Sequence, residues 1–134
     1  DALAAALAAL RPAATGMLAV LFGCGGERDK GKRAKMGQIA STGADKIFVT
    51  DDNPRTEDAA SIRASIISAC PNAIEIARRD KAIAAALSSI GSGDVLLIAG
   101  KGHETVQLVG NESLPFDDAA IASHLMMQMQ KEAV

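Results

Sequence analysis

Asp51-Asp52-Asn53-Pro54-Arg55 follows directly on the apolar run KIFVT at residues 46–50, and its residue types offer more chemistry than a connector needs. Aspartate, asparagine and proline are ordinary turn formers, each for its own physical reason. Arginine adds a planar fork of donors matched to a carboxylate or a phosphate. Acidic and basic groups side by side suit a ligand that itself carries both charges, such as an amino acid. The plainer alternative is a solvated turn with a local ion pair.

Two further segments share this mixed character. The first is FGCGGERDKGKR at residues 22–33. Its glycines invite a dinucleotide reading, but the third glycine of GxGxxG, needed for close helix–strand packing, is replaced by Arg28. No GK[ST] follows, so a P-loop fails too. What remains is a tight turn with solvated lysines and arginines, or a loop in which Arg28 contacts an anion. The second segment, Gly100-Lys101-Gly102-His103-Glu104, is either a flexible turn with scattered charges or part of a site. His103 lacks a second histidine or a cysteine pair at metal-ligand spacing. His124 reads as a structural residue on the last helix, and Met126, Met127 and Met129 as core filler or a docking patch. Cys24 has no positioned base, and Cys70 reads as a small buried hydrophobe. With no nucleophile–base pair and no catalytic carboxylate pair, the chain offers binding chemistry without a reaction centre.

The elements that must position these segments alternate. Helical patterns are expected over residues 1–10, 30–42, 57–69, 81–90 and 117–130, with Pro12 ending the first, Gly43 closing the second and Asp80 capping the fourth. Ile62, Ile66 and Ile67 share a face of the third. Strands are expected over residues 17–22, 46–50, 73–77, 94–99 and 105–109. Such alternation implies a Rossmann-like, doubly wound α/β domain with a mostly parallel sheet of about five or six strands and helices on both faces. Ligands bind such sheets beyond the carboxyl ends of the strands, near the switch in strand order. In the common winding order the first, second and fourth strands are neighbours, so all three segments would meet in one crevice.

The 134 residues fit a single domain, 1–134, able to bury roughly two-thirds of its unfolded surface. Three phenylalanines are the only aromatics, so the core must be aliphatic. A formal net charge of −2 argues against general attraction to nucleic acid, although five basic residues (Arg28, Lys30, Lys32, Arg33, Lys35) cluster locally. Cys24 and Cys70 form no CxxC pair, which favours reduced thiols in a cytoplasm. No segment approaches the ~18 unbroken apolar residues of a membrane helix, and no signal-peptide pattern is present. A start at Asp1 inside a helical pattern reads as an excised domain or processed fragment.

Together FGCGGERDKGKR, TDDNPR at residues 50–55 and AGKGHE at residues 99–104 resemble the C-terminal domain of a Mur ligase. The resemblance is closest to the MurE branch, the UDP-N-acetylmuramoyl-tripeptide synthetases. It extends over essentially the whole chain, including the VGN turn at residues 109–111 and the initial DAL, which in the family follows a Tyr-Ala-His-Thr-Pro hinge. It implies a three-domain enzyme whose first domain binds the UDP-sugar peptide and whose central domain carries the P-loop and the Mg-ATP site. The third domain presents the incoming amino acid. On this resemblance the N-terminal and central domains are absent from the chain, and the domain alone binds no cofactor and does not ligate. ATP and Mg2+ belong to the full cytoplasmic enzyme. DNPR resembles the form accepting meso-diaminopimelate, and lysine-adding relatives lack this arginine. By the same resemblance a buried Arg55 forks onto the distal carboxylate with Asn53 beside it, and the Gly100 carbonyl and the Glu104 carboxylate hold the distal ammonium. Asp52 and Arg28 contact the α-amino acid end. Lys30, Lys32 and Arg33 either face nucleotide phosphates or the central domain, or are simply solvated. The alternative function is a Rossmann-like nucleotide-binding module without ligase activity. A third reading is a partner-docking domain using the Met-rich helix.

Overall fold

A computed structural model describes residues 2–26 and 31–99, together with the backbone of Gln107 and Leu108. Its sheet is built on β1 (Leu18–Phe22), β2 (Lys46–Val49), β3 (Ile74–Glu75), β4 (Val95–Ile98) and β5 (Gln107–Leu108), in the spatial order β3-β2-β1-β4-β5. The first four run parallel, and β5 pairs antiparallel with β4. The register sets Phe22 beside Val49 and Leu21 beside Ile98. The expected neighbours are therefore adjacent, with β1 between β2 and β4.

Strands β1 and β4 are apolar and buried at every position because both faces of the sheet are covered. Side chains alternate along each strand. Leu18, Val20, Phe22, Ile47, Val49, Val95 and Leu97 share one core layer. On that face lie α1 (Ala2–Leu10), α2 (Gly31–Gly43) and α3 (Ala59–Ile67), which bury Leu3 and Leu7, Ala40, and Ile62 and Ile66. Ala19, Leu21, Phe48, Leu96 and Ile98 form the opposite layer, where α4 (Arg79–Ser89) inserts Ala82, Ile83, Ala86 and Leu87. Cys70 is buried in the three-helix layer, as its type suggested.

Helix α1 ends at Leu10 as expected, with Pro12 in a 3₁₀ turn at Arg11–Ala13. Several other boundaries differ from the sequence expectation. Helix α3 begins at Ala59, where the Asp58 side chain accepts from the Ala60 amide and caps it. Asp80 does not cap α4: Arg78 holds the extended cap backbone, and Asp80 lies in the first turn, forked by the Arg78 guanidinium at 2.8 and 3.2 Å. The expected third strand shrinks to the exposed pair Ile74–Glu75, which lies beside Phe48 and Val49 of β2. Ile67 is half-buried, off the face that Ile62 and Ile66 bury. The expected last helix, His103, His124 and the three clustered methionines lie outside the described residues.

The end of the sheet opposite the strand-end loops is fastened by two carboxylates. Asp94 accepts from the Met17 amide at 2.7 Å and the Gly91 amide at 2.8 Å. Asp45 accepts from the Leu18 amide and the Arg11 guanidinium, both at 2.8 Å. The Arg11 hydrogen bond, reinforced by the Leu18 amide, holds the Asp45 carboxyl below the usual carboxylate range, and the Met17 and Gly91 amides do the same for Asp94.

Candidate functional site

The carboxyl ends of β2, β1 and β4 lie side by side. The Thr50 amide donates to the Phe22 carbonyl at 3.0 Å, and the Ala99 amide donates to the Leu21 carbonyl at 2.9 Å. The glycine loop that leaves β1 is pressed backbone to backbone onto the loop that leaves β2. A Cβ on Gly23 would stand 2.3 Å from the Thr50 carbonyl, and one on Gly26 only 1.8 Å from the Pro54 carbonyl. The Gly26 amide donates to the Asn53 carbonyl at 2.9 Å. The glycines thus serve a close approach of two loops, which no larger residue allows.

Within the β2 loop the residues divide their tasks. Asp51 is an anchor: its carboxylate pairs with the Arg63 guanidinium, and its amide donates to the Ala77 carbonyl at 3.1 Å. Arg63 also donates from Nε to Glu75 at 2.8 Å, tying α3 to the ends of β2 and β3. Asp52 is half-buried beside the loop of Cys24. Asn53 is exposed, and its Oδ1 accepts from the Arg55 amide at 3.3 Å. A turn closes from the Glu57 amide to the Pro54 carbonyl at 3.0 Å. Arg55 occupies that turn at φ 56°, the one non-glycine residue with positive φ among the described residues. Left-handed backbone of this kind costs a β-carbon residue about 1–2 kcal/mol, so the surroundings must hold it there.

The structure corrects one expectation at Arg55. The residue is exposed rather than buried, because the turn projects it past the strand ends. Among the described residues no hydrogen bond or ion pair engages its guanidinium. Lys32 is exposed on α2. Arg33, by contrast, is not solvated: it is 3% exposed and forks onto Glu57 at 3.0 and 2.8 Å. That hydrogen-bonded carboxylate holds the guanidinium firmly charged. Removing one partner of such a buried pair costs on the order of 3 kcal/mol. Arg28, Lys30, Gly100 and Glu104 lie outside the described residues.

Sequence reasoning passed over Glu57, Arg63 and Arg79. The Arg79 Nη2 makes a long contact of 3.5 Å with the Ala99 carbonyl, where the third segment begins. One signal was present for Arg33: it stands four and seven residues before Gly37 and Ala40, the small residues on the buried face of α2. Cys24 is a poor nucleophile, since burial pushes its thiol up to about 11. Among the described residues, no three of His, Cys, Asp and Glu are grouped to hold a metal. None of the helices described is long and apolar enough to cross a membrane. A separate groove of about 520 Å³ between α1 and α2, lined by Leu7, Ala8, Ile39, Arg11 and Lys35 among others, shares no residue with the strand-end loops.

The family model described as Mur ligase, glutamate ligase domain matches residues 1–102. A Bradyrhizobium diazoefficiens protein named UDP-N-acetylmuramoyl-L-alanyl-D-glutamate--2,6-diaminopimelate ligase is 55% identical over 130 residues, covering 93% of this chain and 27% of its own length. A Zymomonas mobilis protein of the same name is 50% identical over 131 residues, with 95% and 27% covered. A solved structure under that name superposes with a TM-score of 0.81 at 36% identity, over 96% of this chain and 27% of the other. The chain spans about a quarter of the length of the curated relatives it matches.

Proposed function

The chain belongs to the Mur ligase family, and on that premise we propose that it is the amino-acid-binding domain of an ATP-dependent ligase. The reaction is addition of meso-diaminopimelate to UDP-N-acetylmuramoyl-L-alanyl-D-glutamate in peptidoglycan synthesis, in a cytoplasmic enzyme. The observation that carries this reading is the placement of Arg55. Its donor fork stands at the carboxyl end of β2, on a turn held in left-handed backbone, and no described residue consumes it.

In this reading Arg55 forks onto the distal carboxylate of diaminopimelate, with Asn53 beside it. Asp52 and Arg28 receive the α-amino acid end, and the Gly100 carbonyl and the Glu104 carboxylate hold the distal ammonium. The work of the domain is to bind and orient the amine. Activation of the precursor's carboxylate by ATP and magnesium is assigned to the rest of the full enzyme. The exposure of Arg55 adds a requirement: the rest of the enzyme must cover it once the amino acid is seated. Desolvation then makes the fork discriminating, since lysine has no carboxylate to pair with it. Lys32, exposed on α2, is assigned with Lys30 to face the central domain, whereas Arg33 is committed to Glu57.

The test is ligation by the full-length enzyme that carries this domain, supplied with ATP, the UDP-linked precursor and either meso-diaminopimelate or lysine. Product with diaminopimelate and little or none with lysine is expected. Equal use of both amino acids overturns the specificity, and NAD binding without ligation selects the nucleotide-module alternative.

A further inference from the structure

We infer that Arg33 and Glu57 form a positioning pair, which aims Arg55 by clamping the turn that carries it against the glycine loop. The inference rests on the assignment of Arg55 to the amino acid's distal carboxylate and adds to it the residues through which that assignment is enforced.

Two observations meet at this pair. The first is the turn itself. Arg55 is held at φ 56°, which a bulky side chain does not adopt unless its surroundings over-determine it. On the Asn53 side the restraints are the Asn53 Oδ1 contact to the Arg55 amide and the Gly26 amide bond to the Asn53 carbonyl. On the other side the turn ends at Glu57, whose amide closes it onto Pro54. The second observation is what holds Glu57. Its carboxylate takes both terminal nitrogens of Arg33, a residue rooted in the first turn of α2 and almost wholly enclosed. The same Nη2 lies 3.5 Å from the Gly25 carbonyl, so one guanidinium touches the glycine loop and the far end of the Arg55 turn together.

The geometry makes the linkage directional. A bidentate fork fixes the plane as well as the position of its carboxylate. With Glu57 fixed, the peptide between Pro54 and Glu57 has little freedom left, and Arg55 is presented outward from the strand ends. Arg33 touches no substrate in this arrangement. Its effect passes through Glu57 and the turn.

The experiment is a double-mutant cycle in the full-length ligase. Arg33→Lys keeps the charge and loses the fork; Glu57→Gln keeps the volume and loses the carboxylate. Each is measured alone and combined with Arg55→Ala, with KM determined for diaminopimelate, ATP and the UDP-linked precursor. Each single variant is expected to raise KM for diaminopimelate by about tenfold and leave the other two KM values unchanged; in the Arg55→Ala background neither adds a further rise, the signature of acting through one residue. Glu57→Asp, which restores a carboxylate, should recover part of the loss. Multiplicative effects, or equal rises in all three KM values, overturn the positioning role and leave only a structural one. Failure of every variant to yield folded enzyme overturns it in the same way. If Arg55→Ala itself leaves the diaminopimelate KM unchanged, the assignment of Arg55 fails, and the pair loses its target with it.

Discussion

Arg55 shows how a side chain's placement is set by loop backbone, its own and its neighbours'. Its φ of 56° and its place outside the loop contacts leave a cationic fork pointing away from the fold. Gly26 is part of what permits this, since any β-carbon there would meet the Pro54 carbonyl at 1.8 Å. An alanine at a regular loop position is ordinarily neutral or slightly stabilising through the unfolded chain. Here the clash lies with backbone, which cannot rotate away as a side chain would. Gly26→Ala is therefore expected to destabilise the domain by about 1–3 kcal/mol, measured by urea unfolding, whereas native-like stability would contradict the close loop packing. The DDNPR segment was legible because its residue types exceed what a turn requires. The task of Arg33 was not, because its partner Glu57 stands 24 positions away and nothing local links them. The local basic run suggested solvated or phosphate-facing side chains, and burial decided otherwise for one of them.

At the scale of elements, the parallel order of the strands followed from their alternation with helices and from apolar runs that imply two covered faces. The ends of the elements were harder to place. Asp80 is a good capping residue by type, but the chain enters α4 earlier, so Arg78 takes the cap and Asp80 the first turn. The fastening of β1 was invisible in the sequence, because Asp45 and Asp94 reach it across 27 and 77 positions. These two carboxylates set an acid dependence. Each has a folded pKa lowered by the donors it accepts from. Its contribution is therefore complete above the ordinary carboxylate value of about 4 and is lost as pH falls through the lowered folded value. Asp94→Asn places an amide group against one of the two amides that Asp94 accepts from. The variant should be less stable than the parent at pH 7, and the gap should narrow towards pH 3, where the unfolded parent's carboxylate, of ordinary pKa about 4, takes up a proton that the folded one resists. Urea unfolding at the two pH values checks this, and a constant gap would contradict it.

For the whole molecule, the described residues form one α/β sheet in which β2, β1 and β4 end side by side, and the chain corresponds to about a quarter of its relatives' length. The same end-of-sheet crevice would serve a nucleotide module as readily as an amino acid site; the charges on the loops choose between them. In the proposed role Arg55 reads the carboxylate that distinguishes diaminopimelate from lysine, and only the complete ligase can report it. The most direct measurement compares kcat/KM for meso-diaminopimelate in the full-length enzyme with and without Arg55→Ala. Loss of a charge-assisted fork in a covered site should lower that ratio by about 10²-fold, with activity towards lysine no lower than before. Unchanged kinetics for diaminopimelate in the Arg55→Ala enzyme would contradict the claim.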